Sequence, residues 1–161
     1  MAAHPRLFHG GHGYPECGEG WRDLLQRCCV RIEHLLDEDD QFHFTQIKEK
    51  YGSLRAYWTG RLSPEASARV EEAIDLAEAR SACTCEVCGA AGRLHDRGGW
   101  LATACAEHAD GDPVPVRPGC ENLHIVRKMV EGGTRIVSCR RYDREADAFV
   151  DVDPGSLSIE E

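Results

Sequence analysis

From Trp21 onward, apolar residues recur at three- and four-residue steps: Trp21, Leu24, Leu25, Cys28, Cys29, Ile32, Leu35 and Leu36, with Arg22, Asp23, Arg27, Arg31 and Glu33 between them. That period puts one apolar stripe on a helix, which the acidic run Asp37-Glu38-Asp39-Asp40 ends. Cys28 and Cys29 lie in the stripe and read as small core hydrophobes rather than a redox pair. The period then shortens. Phe42 to Lys50 and Leu54 to Thr59 are rich in aromatic and branched residues and flank Tyr51-Gly52-Ser53, which predicts a β-hairpin. Alternation breaks near Gln46 and Ile47, so the sequence leaves the register open there. Ser63-Pro64-Glu65 supplies an N-cap, a proline at the first helical position and a first-turn acid, and Val70, Ala73, Ile74 and Ala77 give a second helix its buried stripe.

Outside this helix–hairpin–helix unit of residues 20–82 the pattern changes. Residues 1–19 are rich in Gly and His with little apolar periodicity and are expected to form a flexible arm. His4, His9, His12 and Cys17 lack paired spacing, so they read as loop residues rather than as a metal site. Three prolines and two glycines mark residues 110–119 as an extended linker. In residues 120–161 the turn signal Glu131-Gly132-Gly133 separates two strand-like flanks, and Ala148 to Val152 follows. A three-stranded meander is expected, with a helix over 121–130 as the alternative.

Between unit and linker, residues 83–109 carry paired ligand-type residues. Cys85-Glu86-Val87-Cys88-Gly89 is a C-x-x-C turn, and Cys105-Ala106-Glu107-His108 repeats the spacing with a histidine. Zn2+ takes four tetrahedral thiolate or imidazole ligands, so Cys85, Cys88, Cys105 and His108 are the expected set for one structural zinc. Cys83 is a possible substitute for Cys85. Arg93 to His95 and Trp100 to Thr103 pair as strands across Asp96-Arg97-Gly98-Gly99, and Cys105 is expected to open a helical turn. Knuckle, hairpin and ligand-bearing helix start resemble a treble-clef zinc finger. The predicted class is therefore α+β: a helix–β-hairpin–helix unit, a docked treble-clef-like finger and a C-terminal β-meander.

The 161 residues suit one domain or a small domain with a metal module. The N-terminal residues lack the apolar run of a signal peptide, no stretch reaches membrane-spanning length, and the nine cysteines are odd in number with three committed to a metal. Reduced thiols and a cytoplasmic location are expected. A formal net charge of −9 opposes polyanion binding over the whole surface but leaves room for a local basic patch.

Gly18-Glu19-Gly20-Trp21, Lys48-Glu49-Lys50-Tyr51-Gly52, Thr84 to Gly89, and Gly99-Trp100 through Cys105 and His108 together resemble a set of small, uncharacterised bacterial and prophage proteins. The resemblance covers roughly residues 17–109 and departs at Ser53 and Ala56, where a second glycine and an aromatic would stand. It implies a regulator or an inhibitor of a host protein and brings no defined activity with it.

Three functions are open to such a chain. A closed metal site, an acidic composition and no nucleophile–base or phosphate-loop spacing favour a non-enzymatic protein-binding adaptor, regulator or inhibitor. Nucleic-acid binding is the alternative: residues 46–61 carry Lys48, Lys50, Arg55 and Arg61 against Glu49, interleaved with Tyr51, Tyr57 and Trp58. Cations neutralise phosphates and aromatic rings stack on bases. A treble-clef nuclease is a minor third, with His95-Asp96 as its candidate pair.

Overall fold

The computed structural model describes residues 4–9, 12–130 and 133–157. The chain divides into two compact units, residues 1–114 and 115–161.

In the first unit, a sheet is built from β1 (Pro15–Glu16), β2 (Gln41–Lys50) and β3 (Ser53–Arg61), with helix α1 (Arg22–Leu35) between β1 and β2 and helix α2 (Pro64–Ser81) after β3. Ser63 caps α2 as its composition predicts, its side chain accepting a hydrogen bond from the Ala66 amide. The stripes of both helices join the hairpin's inner face in one core that includes Trp21, Leu24, Ile32, Phe44, Ile47, Leu54, Val70 and Ile74. Burial drives the Cys28 thiol pKa upward and that of Cys29 to about 12, which keeps both protonated and inert.

Register explains the broken alternation. Pairing of β2 with β3 shifts between Phe44 and Gln46, a bulge at Thr45 that lets both Phe44 and Ile47 face the core. The inner face carries the pairs Phe44–Trp58, Ile47–Ala56 and Glu49–Leu54. The outer face carries Gln41–Arg61, His43–Thr59, Gln46–Tyr57, Lys48–Arg55 and Lys50–Ser53.

The described arm residues pack closely rather than lying loose. Leu7 is fully buried, Phe8 stacks on Tyr14 and sits 5.5 Å from Phe44, and β1 pairs in parallel with β2. Two buried side chains are too few to make a period in the sequence, yet each contributes about 1.5–3 kcal/mol.

A second sheet of the first unit holds β4 (Arg93–Arg97), β5 (Trp100–Ala104) and β6 (Asp112–Pro113), in the order β5-β4-β6. Two residues of the expected linker are thus a strand: Asp112 and Pro113 pair with Asp96 and His95, and the Val114 amide donates to the Leu94 carbonyl.

The second unit is the expected meander, β7 (Leu123–Val130), β8 (Gly133–Asp143) and β9 (Ala148–Asp151), with no helix over 121–130. Part of its predicted Glu131-Gly132-Gly133 turn lies outside the described residues. Tyr142 is buried and donates from its hydroxyl to Asp147 Oδ1 at 2.5 Å. The Arg140 guanidinium lies 4.0 Å over the Phe149 ring.

Candidate metal centre

The sequence brings the four predicted ligands to one point by two similar turns. In the first, the Cys85 amide donates to the Ala90 carbonyl and the Gly89 amide to the Cys85 carbonyl, which curls residues 85–90 around the two sulfurs. In the second, the His108 amide donates to the Cys105 carbonyl at 3.1 Å. This second pair sits on a single turn and the chain then continues to β6, where the sequence led us to expect a helix start.

Cys85, Cys88, Cys105 and His108 offer ligand atoms that all lie within 4.8 Å of one another. Cys88 Sγ is 3.7 Å from Cys105 Sγ, and His108 Nδ1 is 3.8 Å from Cys85 Sγ and 3.2 Å from Cys105 Sγ. A tetrahedron with bonds of about 2.3 Å has edges of about 3.8 Å, so these separations are the right size for one metal ion. Nδ1 is the imidazole nitrogen presented. Its hydrogen bond with His108 lowers the Cys105 thiol to about 6, so Cys105 is a thiolate at neutral pH. At Cys85, burial raises the thiol pKa, but backbone hydrogen bonds from Cys105, Cys88 and Val87 outweigh it and the net shift is downward. Cys83 stands apart, buried with its sulfur directed at the Arg80 carbonyl 3.3 Å away.

The knuckle is locked to the rest of the unit through Glu86. Its carbonyl accepts from the Gly20 amide at 2.8 Å, its carboxylate accepts from the Gly18 amide at 2.8 Å, and its own amide donates to the Thr103 carbonyl at 3.1 Å. Trp21, fully buried, donates from Nε1 to the Thr84 carbonyl at 2.9 Å. Gly18-Glu19-Gly20-Trp21 is therefore the cradle of the metal knuckle. On the other side, the buried Thr103 hydroxyl donates to the Gly52 carbonyl at 2.5 Å, tying the β2–β3 turn to β5. Thr103→Val leaves that carbonyl without its partner and is expected to cost about 1–3 kcal/mol, measured by urea unfolding.

No known family model, curated protein or solved structure matches the chain.

Lys48, Lys50, Arg55, Tyr57 and Arg61 share the outer face of the hairpin, with the Lys48 ammonium 5.8 Å from the Tyr57 ring centre. Trp58 does not join them. As the neighbour of Tyr57 it points the opposite way, stacks on Phe42 at 5.2 Å and donates to Glu71 Oε1 at 2.7 Å. Arg55 is engaged, donating to the Leu54 carbonyl at 2.7 Å and lying 3.5 Å from Glu78. His95 and Asp96, successive on β4, face opposite ways: buried His95 contacts the Arg93 carbonyl through Nδ1, and Asp96 Oδ1 accepts from the Gly99 amide. They do not converge as an acid–base pair. Among the described residues His4, His9, His12 and Cys17 form no metal-holding group; His4 is buried against Glu33 at 2.7 Å.

Two more aromatics stand out beside this face: Tyr51, which the sequence already places among the hairpin's interleaved rings, and Trp100, which it does not. Tyr51 is 67 % and Trp100 65 % exposed. Tyr51 also holds φ at 56°, followed by Gly52 at 76°. A two-residue hairpin turn needs positive φ at both positions, which Asn-Gly or Asp-Gly meets cheaply. A tyrosine there costs about 1–2 kcal/mol, and its exposed ring recovers little of that by burial. The signal was present in the sequence as a bulky residue at a turn position that small polar residues fill.

Proposed function

We propose that this chain is a zinc-stabilised, non-enzymatic binding protein whose partner is single-stranded nucleic acid, held on the outer face of the β2–β3 hairpin. Zn2+ is the ion that best suits three thiolates and one imidazole, and with all four tetrahedral positions filled by the protein no position remains to activate water. Knuckle, hairpin and second ligand pair follow in treble-clef order, which supports a treble-clef-like finger with a turn in place of its helix. In this role the ion is structural: it fixes the knuckle against the α1 start and so holds the β4–β5 hairpin beside the β2–β3 turn.

The observation that carries the partner is the register of β2 with β3. Every hairpin position on the outer face is cationic or uncharged, in a chain of net charge −9. Glu16 of β1, in register with Lys48, is an acid on the neighbouring strand. Lys48, Lys50 and Arg61 on that face suit phosphates, and Tyr57 suits a base. A regulator acting on single-stranded nucleic acid is the resulting role. A protein partner is the second reading. It is supported by the acidic composition and by an apolar groove between α1 and α2 in which Leu35, Ala73 and Leu76 lie beside Arg31 and Arg69.

Fluorescence anisotropy of zinc-loaded protein with mixed-sequence single and double strands tests the reading. Single-strand affinity is expected to fall by about an order of magnitude over a fourfold rise in salt, as neutralising about three phosphates requires. Lys48→Glu with Lys50→Glu is expected to abolish binding. Absence of binding at low salt would remove nucleic acid and leave the protein partner.

A further inference from the structure

Beyond the cationic face, the tips of two hairpins enclose a cleft of about 220 Å3 lined by Glu49, Lys50, Tyr51, Gly99, Trp100 and Leu101. Two of its lining residues, Tyr51 and Trp100, are the exposed aromatics described above. The Lys50 ammonium lies 5.3 Å from the Tyr51 ring centre, and Glu49 is turned into the β2–β3 turn, where its Oε1 accepts from the Gly52 amide at 2.6 Å. On the opposite tip, Gly99 has positive φ, and a side-chain carbon there would meet no atom within 4 Å.

We propose that this cleft is a nucleobase-stacking site, in which one base of a single strand packs on Tyr51 and Trp100 while Lys50 meets the adjoining phosphate. The assignment rests on the nucleic-acid reading above and adds to it the place where a base, rather than the backbone, is held. Three observations converge on it. The space is smaller than a drug-sized ligand pocket and suits one flat ring system. It adjoins Lys50 and therefore continues the row Lys48–Lys50 along which phosphates would run. Tyr51 keeps a strained backbone while its ring stays in solvent, a combination that packing alone does not explain and that is found where a side chain is held for a ligand. Tyr and Trp anchors also serve protein interfaces, but here they lie at the end of the row Lys48–Lys50 on a hairpin face whose own positions carry no acid.

The test compares oligothymidylate with an abasic phosphodiester strand of the same length, using zinc-loaded full-length protein. Oligothymidylate is expected to bind about tenfold more tightly, the worth of one stacked base. Trp100→Ala and Tyr51→Asn are each expected to bring oligothymidylate down to the abasic level and leave the abasic affinity unchanged. Tyr51→Asn also relieves the turn, so its melting temperature is expected to rise by a few degrees, which separates lost binding from lost folding. Equal affinity for the two strands in the wild type would overturn the cleft while leaving the cationic face intact. Binding of neither strand would overturn the underlying reading as well. Thymidine monophosphate binding as tightly as the strand would show a free-nucleotide site and overturn the assignment to a strand.

Discussion

Cys88→Ser is expected to lose the metal and unfold the knuckle, with a loss of several kcal/mol in the stability of the first unit. Cys88 is exposed, so the substitution removes little packing, and its effect passes through the ion. Structural zinc in small finger modules contributes about 10–16 kcal/mol of apparent binding energy, most of which is folding energy where no preformed site exists. The knuckle is also an anchor. Ser81, the last residue of α2, accepts from the Leu54 amide at 2.8 Å and donates to the Glu78 carbonyl at 2.6 Å, and Thr84 accepts from Trp21 three residues later. Release of the knuckle therefore frays the end of α2 and unseats the start of α1. Circular dichroism is expected to show reduced helix in Cys88→Ser and in chelated wild type alike. Cys83→Ser, at a thiol outside the ligand set, is expected to retain the metal. Undiminished helical signal in metal-free Cys88→Ser would mean that the finger hangs from α2 without supporting it.

Gly20→Ala is the second large effect. A side-chain carbon at Gly20 would stand 2.3 Å from the Cys85 carbonyl oxygen, 2.5 Å from the Gly89 amide nitrogen and 2.6 Å from the Glu86 carbonyl oxygen. All three are backbone atoms of the knuckle, so nothing flexible can yield, and the cradle and metal loop must separate. That separation breaks the hydrogen bond from the Gly20 amide to the Glu86 carbonyl and pulls Trp21 Nε1 from Thr84. With two buried hydrogen bonds lost and Trp21 displaced, a cost of about 3–5 kcal/mol is expected. Urea unfolding checks it, and zinc affinity is expected to fall in the same variant because a displaced knuckle no longer presents Cys85 and Cys88 together. A change under 1 kcal/mol would show that the α1 start does not hold the knuckle.

Much of this was legible in the chain because it is local. The helical stripes, the Ser63 cap, the hairpin centred on Tyr51-Gly52 and the two ligand pairs each follow from residues within one or two turns of each other. What escaped is long-range. Gly18 and Gly20 look like ordinary loop glycines until the knuckle is placed against them, and nothing in their own neighbourhood says that Glu86 will bond to both. The bulge at Thr45 decides which residues share the outer face. Trp58 packs against the core and Tyr57 does not, because neighbours on a strand face opposite ways. Trp100 reads as a strand residue of the finger, and only the contact between Thr103 and Gly52 brings it beside Tyr51. The arm was misjudged for a related reason: Leu7 and Phe8 carry no period of their own and are buried by a core made elsewhere.

A metal held by three sulfurs and one nitrogen would set the knuckle and, through it, both hairpin tips. Zinc K-edge X-ray absorption of the purified chain measures this directly. Three sulfur scatterers at about 2.3 Å and one nitrogen at about 2.0 Å, with one zinc per chain, are the predicted result. A shell of oxygen and nitrogen alone, or a chain that folds fully with no zinc bound, would contradict it.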